Sequence, residues 1–228
     1  MRRTLNVIRL QMINKDTFIW TPLIILIGAT LLSVLVYAMI PVDAPKYGGA
    51  GQAPLWYFFA VGIGAMTYTF PFSQALSITR RQFFTGTMLT AVLASAAMSL
   101  VFLGIGAIEV ATRGYGLNGY VFHLDWLWED GPLGAFVVYF TLPLLLFVLG
   151  FTGATIYKSW GLKVLTISWI SVALLLIVIV FLATRLNWWG DFWVAIAGLR
   201  AVGIALWGLV VTGVLMIVSF LAFRRATP

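Results

Sequence analysis

The sequence predicts an all-α integral membrane protein, and three observations carry that prediction. Charge is scarce: 9% of the 228 residues are Asp, Glu, Lys or Arg and 62% are hydrophobic, whereas a water-soluble domain carries about 25% charged residues. The apolar residues gather into runs of the length, about 20 residues, that a helix needs to cross a hydrocarbon layer of roughly 30 Å. Those runs lack the alternation of a membrane β-barrel strand, so their backbone polar groups are satisfied within helices.

Taken in chain order, the first segment is "MRRTLNVIRLQMINKD". Leu5, Ile8 and Met12 recur at helical spacing while Arg2, Asn6 and Arg9 mark another face. Residues 1–16 are therefore expected to form an amphipathic helix along the cytoplasmic membrane surface, its basic groups toward anionic headgroups. A merely basic tail would fit the charges as well. Six spans are expected to follow, at 18–40, 55–78, 88–108, 133–157, 164–184 and 201–223. The first apolar run is too long for a signal-peptide core, so no cleaved leader is expected. Pro71 and Pro143 fall inside spans and are candidate kinks, since proline frees a backbone carbonyl. The whole chain, 1–228, reads as one transmembrane domain with no soluble domain on either side.

Lysine and arginine set the orientation. Arg2, Arg3, Arg9, Lys15, Arg80, Arg81, Lys158, Lys163, Arg224 and Arg225 fall on one side of the predicted crossings, and Lys46, Arg113, Arg185 and Arg200 on the other. Asp16 is the acid on the basic side; the others lie at or beyond the opposite ends. Both termini are expected in the cytoplasm. Trp56, Trp126, Trp128, Trp188, Trp189 and Trp193 fall at the outer boundary, where indole suits the headgroup layer. The net charge of +7 is thus explained by topology, and the expected partner is the bilayer, not nucleic acid.

Two outer connections exceed what a turn requires. "RGYGLNGYVFHLDWLWEDG" (113–131) is aromatic and acidic. "RLNWWGDFWVAIAGLRA" (185–201) is too apolar for a free loop and too short for a seventh span, so it is expected as an interfacial or re-entrant helix between spans five and six.

Catalytic chemistry is missing from the sequence. Cysteine is absent and the single histidine is His123 in the outer aromatic segment, which excludes thiolate sites, paired-histidine haem ligation and a histidine metal cluster. "GLK" at 161–163 lacks the upstream glycine and following hydroxyl of a phosphate loop. Ser95, Ser99, Ser168 and Ser171 have no histidine in any span to activate them. No metal site, no cofactor and no enzymatic activity is expected of this chain. The one acid near a span interior, Glu109, stands four residues before Arg113. That spacing predicts an outer-end helical ion pair, with a proton relay as the other reading.

The short inner turns are more informative. "SITRRQFFTG" (77–86) puts adjacent arginines between spans two and three, flanked by Thr79, Gln82 and Phe83. "YKSWGLKV" (157–164) presents Lys158 and Trp160 around Gly161. The same arginines would also serve as plain positive-inside anchors.

This layout resembles the membrane-spanning (permease) subunit of bacterial ABC transporters, specifically the six-span type-2 exporter permeases. The likeness rests on the amphipathic amino-terminal segment, six spans with both ends inside, the Ser/Thr-Arg-Arg-aromatic turn and the aromatic-Gly turn "KSWG". It covers essentially the whole chain. It implies that Thr79, Arg80, Arg81, Gln82 and Phe83, with Lys158, Trp160 and Gly161, contact a separate ATPase subunit. It also implies two such subunits carrying the ATP and Mg, a second permease chain (identical or homologous), and a place in the bacterial plasma membrane. A cargo path between spans two and five would then be lined by Met66, Thr67, Tyr68 and Phe70 and by Thr166, Ser168, Trp169 and Ser171. The near-absence of charge there suggests an apolar or amphipathic cargo such as a drug, a peptide antibiotic or a lipid. A six-span substrate-binding component of a vitamin-type importer, or a non-transporting scaffold or sensor, are the alternative expectations.

Overall fold

A computed structural model of the chain describes Gln11 and residues 15–225. Most of the expected amphipathic segment, 1–16, lies outside the described residues. Within it Gln11 is helical and buried, and its amide Nε2 donates to Thr87 Oγ1 at 2.6 Å.

Five helices are long and apolar enough to cross a membrane: α1 (Asp16–Met39), α2 (Gln52–Ala75), α3 (Arg80–Ala111), α5 (Gly131–Arg185) and α6 (Trp189–Phe223). The short α4 (Asp125–Trp128) stands between α3 and α5. Two of the long helices are interrupted. Gly161 leaves helical geometry in α5, with φ 82° and ψ 179°. A glycine enters that region without the steric penalty a Cβ imposes. The expected spans 133–157 and 164–184 therefore share α5, one on each side of the break. Arg200 does the same in α6, with φ 53° and ψ −175°. It separates a helical stretch at 189–199 from the helix at 201–223, so the segment expected between spans five and six is helical. Its guanidinium is tied to Asp130 at 2.9 Å and Glu129 at 3.7 Å.

The helix at 131–160 is the hub. Its buried residues run from Gly134 to Thr155, and α2, α3 and the 201–223 part of α6 pack around it. Contact with α2 is backbone to backbone. A Cβ on Gly62 would strike the Phe147 carbonyl, and one on Gly150 would strike the Phe59 carbonyl. Small residues at a crossing are how helices associate where lipid removes the hydrophobic drive. The inward face of α3 reads Phe83, Thr87, Ala91, Ser95, Met98, Phe102, Gly106 and Glu109, a helical periodicity. Three buried hydroxyls are satisfied within their own helix: Thr90, Thr152 and Thr155 donate to the carbonyls of Gly86, Val148 and Phe151 at 2.9, 2.7 and 2.7 Å.

The two prolines behave differently. Before Pro71, residues Ala65–Thr69 widen into a π-helical turn in which the Phe70 N–H reaches back five residues to the Ala65 carbonyl. That relieves the clash the ring would impose on a regular helix. Pro143 is accommodated within α5 with no loss of helical geometry at its position.

One region stands apart. No residue from 162 to 200 is buried, although the segment is among the most apolar in the chain. The 189–199 stretch folds back on the end of α5, leaving a cavity of about 560 Å³ between Ile179, Ala183, Trp189 and Phe192.

Candidate functional site

The basic end of the bundle is built from three chain segments. Ser77, at φ 56°, turns the chain out of α2. Thr79 then caps α3: its Oγ1 accepts from the Gln82 N–H while Gln82 Oε1 accepts from the Thr79 N–H, both at 3.3 Å. This reciprocal box satisfies two donors that a helix start would leave unpaired, and it holds the arginine turn in one shape.

The paired arginines have different surroundings. Arg80 Nη1 donates to the Arg224 carbonyl at 2.7 Å, at the end of α6. Arg81 is exposed, and its guanidinium makes no hydrogen bond or ion pair among the described residues. The second expected turn reaches the same place, because Ser159 Oγ donates to the Ala222 carbonyl at 3.0 Å. Carbonyls of the last helical turn have spare acceptor capacity, and here they receive both turns, the Ala222 carbonyl accepting the Arg225 N–H at 3.0 Å as well. Trp160 is 42% exposed beside them.

Phe83 departs from its expected role. It is fully buried, stacked at 6.0 Å on Phe223 and 5.4 Å from Phe70, with Phe84 also against Phe223 at 6.1 Å. Three and four residues beyond Arg80, these rings fall on the inward face of α3 and form the floor of the basic end. Thr79, Arg81, Gln82, Lys158, Trp160 and Gly161 retain at least partial exposure.

The expected path residues are not brought together within one chain. Met66 and Phe70 are fully buried in the core. Thr67 donates back to the Ile63 carbonyl at 3.0 Å, while Tyr68 is 80% exposed. Tyr68 and Thr69 border a cavity of about 410 Å³ shared with Gln11, Thr17 and Tyr57. On α5, Thr166 and Ser168 donate to the carbonyls of Leu162 and Val164 at 3.0 and 2.8 Å, and Trp169 and Ser171 are exposed. Ser168 borders a different space, a groove against α6.

At the opposite end, the Glu109–Arg113 ion pair is overturned. The Glu109 carboxyl is fully buried. It accepts from the backbone N–H groups of Val121 (3.1 Å), Phe122 (2.9 Å) and His123 (2.8 Å), and from Tyr115 Oη at 3.3 Å. Arg113 has left the helix, at φ 49°, and is exposed. Helical spacing therefore no longer relates the two. Burial and the Glu109 carboxyl together push the Tyr115 hydroxyl up to about 12. The 121–123 segment is also held by its carbonyl side, since Trp128 Nε1 (2.9 Å) and Tyr139 Oη both donate to the Phe122 carbonyl.

That segment belongs to a cap at the end of the bundle opposite the arginine turn. The short strands β1 (Lys46–Tyr47) and β2 (Gly119–Tyr120) pair in parallel. Lys46 Nζ donates to the Leu117 carbonyl at 3.1 Å, and Asn118 Nδ2 to Asp43 Oδ1 at 3.1 Å. No group of three or more metal-ligating side chains is found among the described residues.

Sequence reasoning missed the carbonyls of Ala222 and Arg224 and the hydroxyl of Ser159. "FRRA" (223–226) was readable only as charge, because main-chain acceptors carry no residue signature. The amide nest around Glu109 was hidden for the same reason.

Helices of this length and apolarity define an all-α membrane protein. Compared with known proteins, the chain matches no family model, no curated protein and no solved structure.

Proposed function

We propose that this chain is the permease subunit of an ATP-driven exporter. It would cross the bacterial plasma membrane six times, with both termini in the cytoplasm and the two halves of α5 as separate crossings. The observation that carries the reading is the convergence of the 77–84 and 157–161 turns on one helix end, residues 222–224. Two short turns locked to a common anchor make a rigid platform, and a push on either turn is transmitted to α6. Arg81, with its unused guanidinium, supplies a multi-donor contact for carboxylates or carbonyls on a partner. The energy would come from two separate ATPase subunits holding ATP and Mg.

The unburied stretch from 162 to 200 supports a second permease chain. In that assembly the Thr166–Ser171 stretch of one chain and the Tyr68 region of its partner would border a shared path, and their lack of charge suits an apolar or amphipathic cargo.

The decisive experiment is Arg80→Glu with Arg81→Glu. Loss of copurification with a Walker-motif ATPase, or hydrolysis no longer coupled to export, is the expected result. Assembly and transport like those of the unaltered chain would overturn the proposal. Tight stoichiometric binding of a small vitamin-like molecule by the isolated chain would favour an importer component instead, and full function with no nucleotide-binding partner a scaffold or sensor.

A further inference from the structure

A groove of about 870 Å³ lies at the basic end between the elbow of α5 and the last turns of α6. Its walls are apolar: Ile156 before the Gly161 break, and Val218 and Leu221 on α6. Trp160 stands at its rim, and Arg224 and Arg225 border it. Ser168 also borders it, with its hydroxyl already donated to the Val164 carbonyl. No carboxylate lines the groove among the described residues.

We infer that this groove holds an anionic phospholipid of the leaflet at the basic end. The headgroup lies between Arg224 and Arg225, and an acyl chain lies along Ile156, Val218 and Leu221. Two exposed guanidiniums side by side, with no acid to offset them, leave positive charge that an anionic group neutralises. Basic pockets between spanning helices select anionic headgroups, each Lys or Arg near the surface contributing about 1 kcal/mol. The apolar walls distinguish the occupant from a free anion, which would gain nothing from them. Trp160 at the rim matches the headgroup level, where indole is favoured. The inference goes beyond the transport reading and needs no partner, because the groove belongs to a single chain.

The test is native mass spectrometry of the purified full chain released from mixed micelles containing equal phosphatidylglycerol and phosphatidylcholine. The expected result is retention of phosphatidylglycerol by roughly thirtyfold over phosphatidylcholine, the preference two such arginines supply. Arg224→Gln with Arg225→Gln removes that preference. It does so without disturbing the anchor, because Arg80 is bonded to the main-chain carbonyl of Arg224 and not to its side chain. Lys15→Gln with Arg81→Gln removes the same charge away from the groove and keeps the preference. Leu221→Trp, at a position 56% exposed, fills the groove at constant charge and also loses the lipid. Equal retention of the two lipids overturns the inference, as does undiminished phosphatidylglycerol binding in the Arg224/Arg225 or Leu221 variants. Competition by inorganic phosphate as effective as that by the lipid would reduce the site to an anion site and overturn it too.

Discussion

Arg80 reaches across the end of the bundle to the main-chain carbonyl of Arg224, 2.7 Å away, so one of two adjacent arginines is structural and the other is free to act outward. Single substitutions should separate them. Arg81→Glu is expected to leave thermal unfolding in detergent unchanged while abolishing ATPase copurification. Arg80→Glu is expected to lower both, because the carbonyl loses a charge-assisted donor worth about 1.5–3 kcal/mol. Equal effects of the two on unfolding temperature would refute the division of labour.

Glu109 should behave as the keystone of the cap opposite the arginine turn. Glu109→Ala leaves the N–H groups of Val121, Phe122 and His123 without their acceptor, at a cost on the order of 3 kcal/mol or more. Glu109→Gln keeps one acceptor oxygen and should cost less. Hydrogen exchange at 121–123 is the direct measure: protection should fall steeply in the alanine variant and only partly in the glutamine one. Arg113→Ala should change neither, whereas a true Glu109–Arg113 pair would make it matter.

The cap should also weaken in alkali. The Tyr115 hydroxyl is raised to about 12 in the folded chain from an ordinary value near 10. A raised acid favours its protonated form in the fold, so its contribution is complete below about pH 10 and is lost as pH climbs toward 12. Cap protection followed across that range should show a step that Tyr115→Phe removes. An identical profile in the phenylalanine variant would disprove the assignment.

Phe223 is fully buried among Phe70, Phe83, Phe84 and Phe151. Phe223→Ala should cost about 3–5 kcal/mol, the usual penalty for emptying a large aromatic site. Because this floor lies under both turns, the variant should also loosen them. Faster proteolysis near residues 77–84 is the readout.

Close packing of α2 on α5 depends on the absence of side chains at Gly62 and Gly150, each facing a carbonyl of the opposite helix. Gly62→Val should force the helices apart and destabilise the bundle. Gly153→Ala, where a Cβ meets nothing within 4 Å, should be silent. If Gly62→Val proved silent too, the crossing would be looser than described.

The membrane character and most helix positions could be read from the chain alone, because lipid leaves the backbone no choice but helix wherever apolar residues run long enough. The helical stretch at 189–199 was readable for the same reason, as a run too apolar for a loop. Tertiary structure alone decided which polar groups meet. Glu109 faces amides contributed from residues 121–123, and Arg80 faces a carbonyl at residue 224. In each case the partner is a main-chain group, and main-chain groups are the same at every position. Phe83 likewise read as a surface grip beside the arginines until the turn of α3 carried it inward. Local composition determined what each segment is, whereas the packing of helices distant in sequence determined what each residue touches.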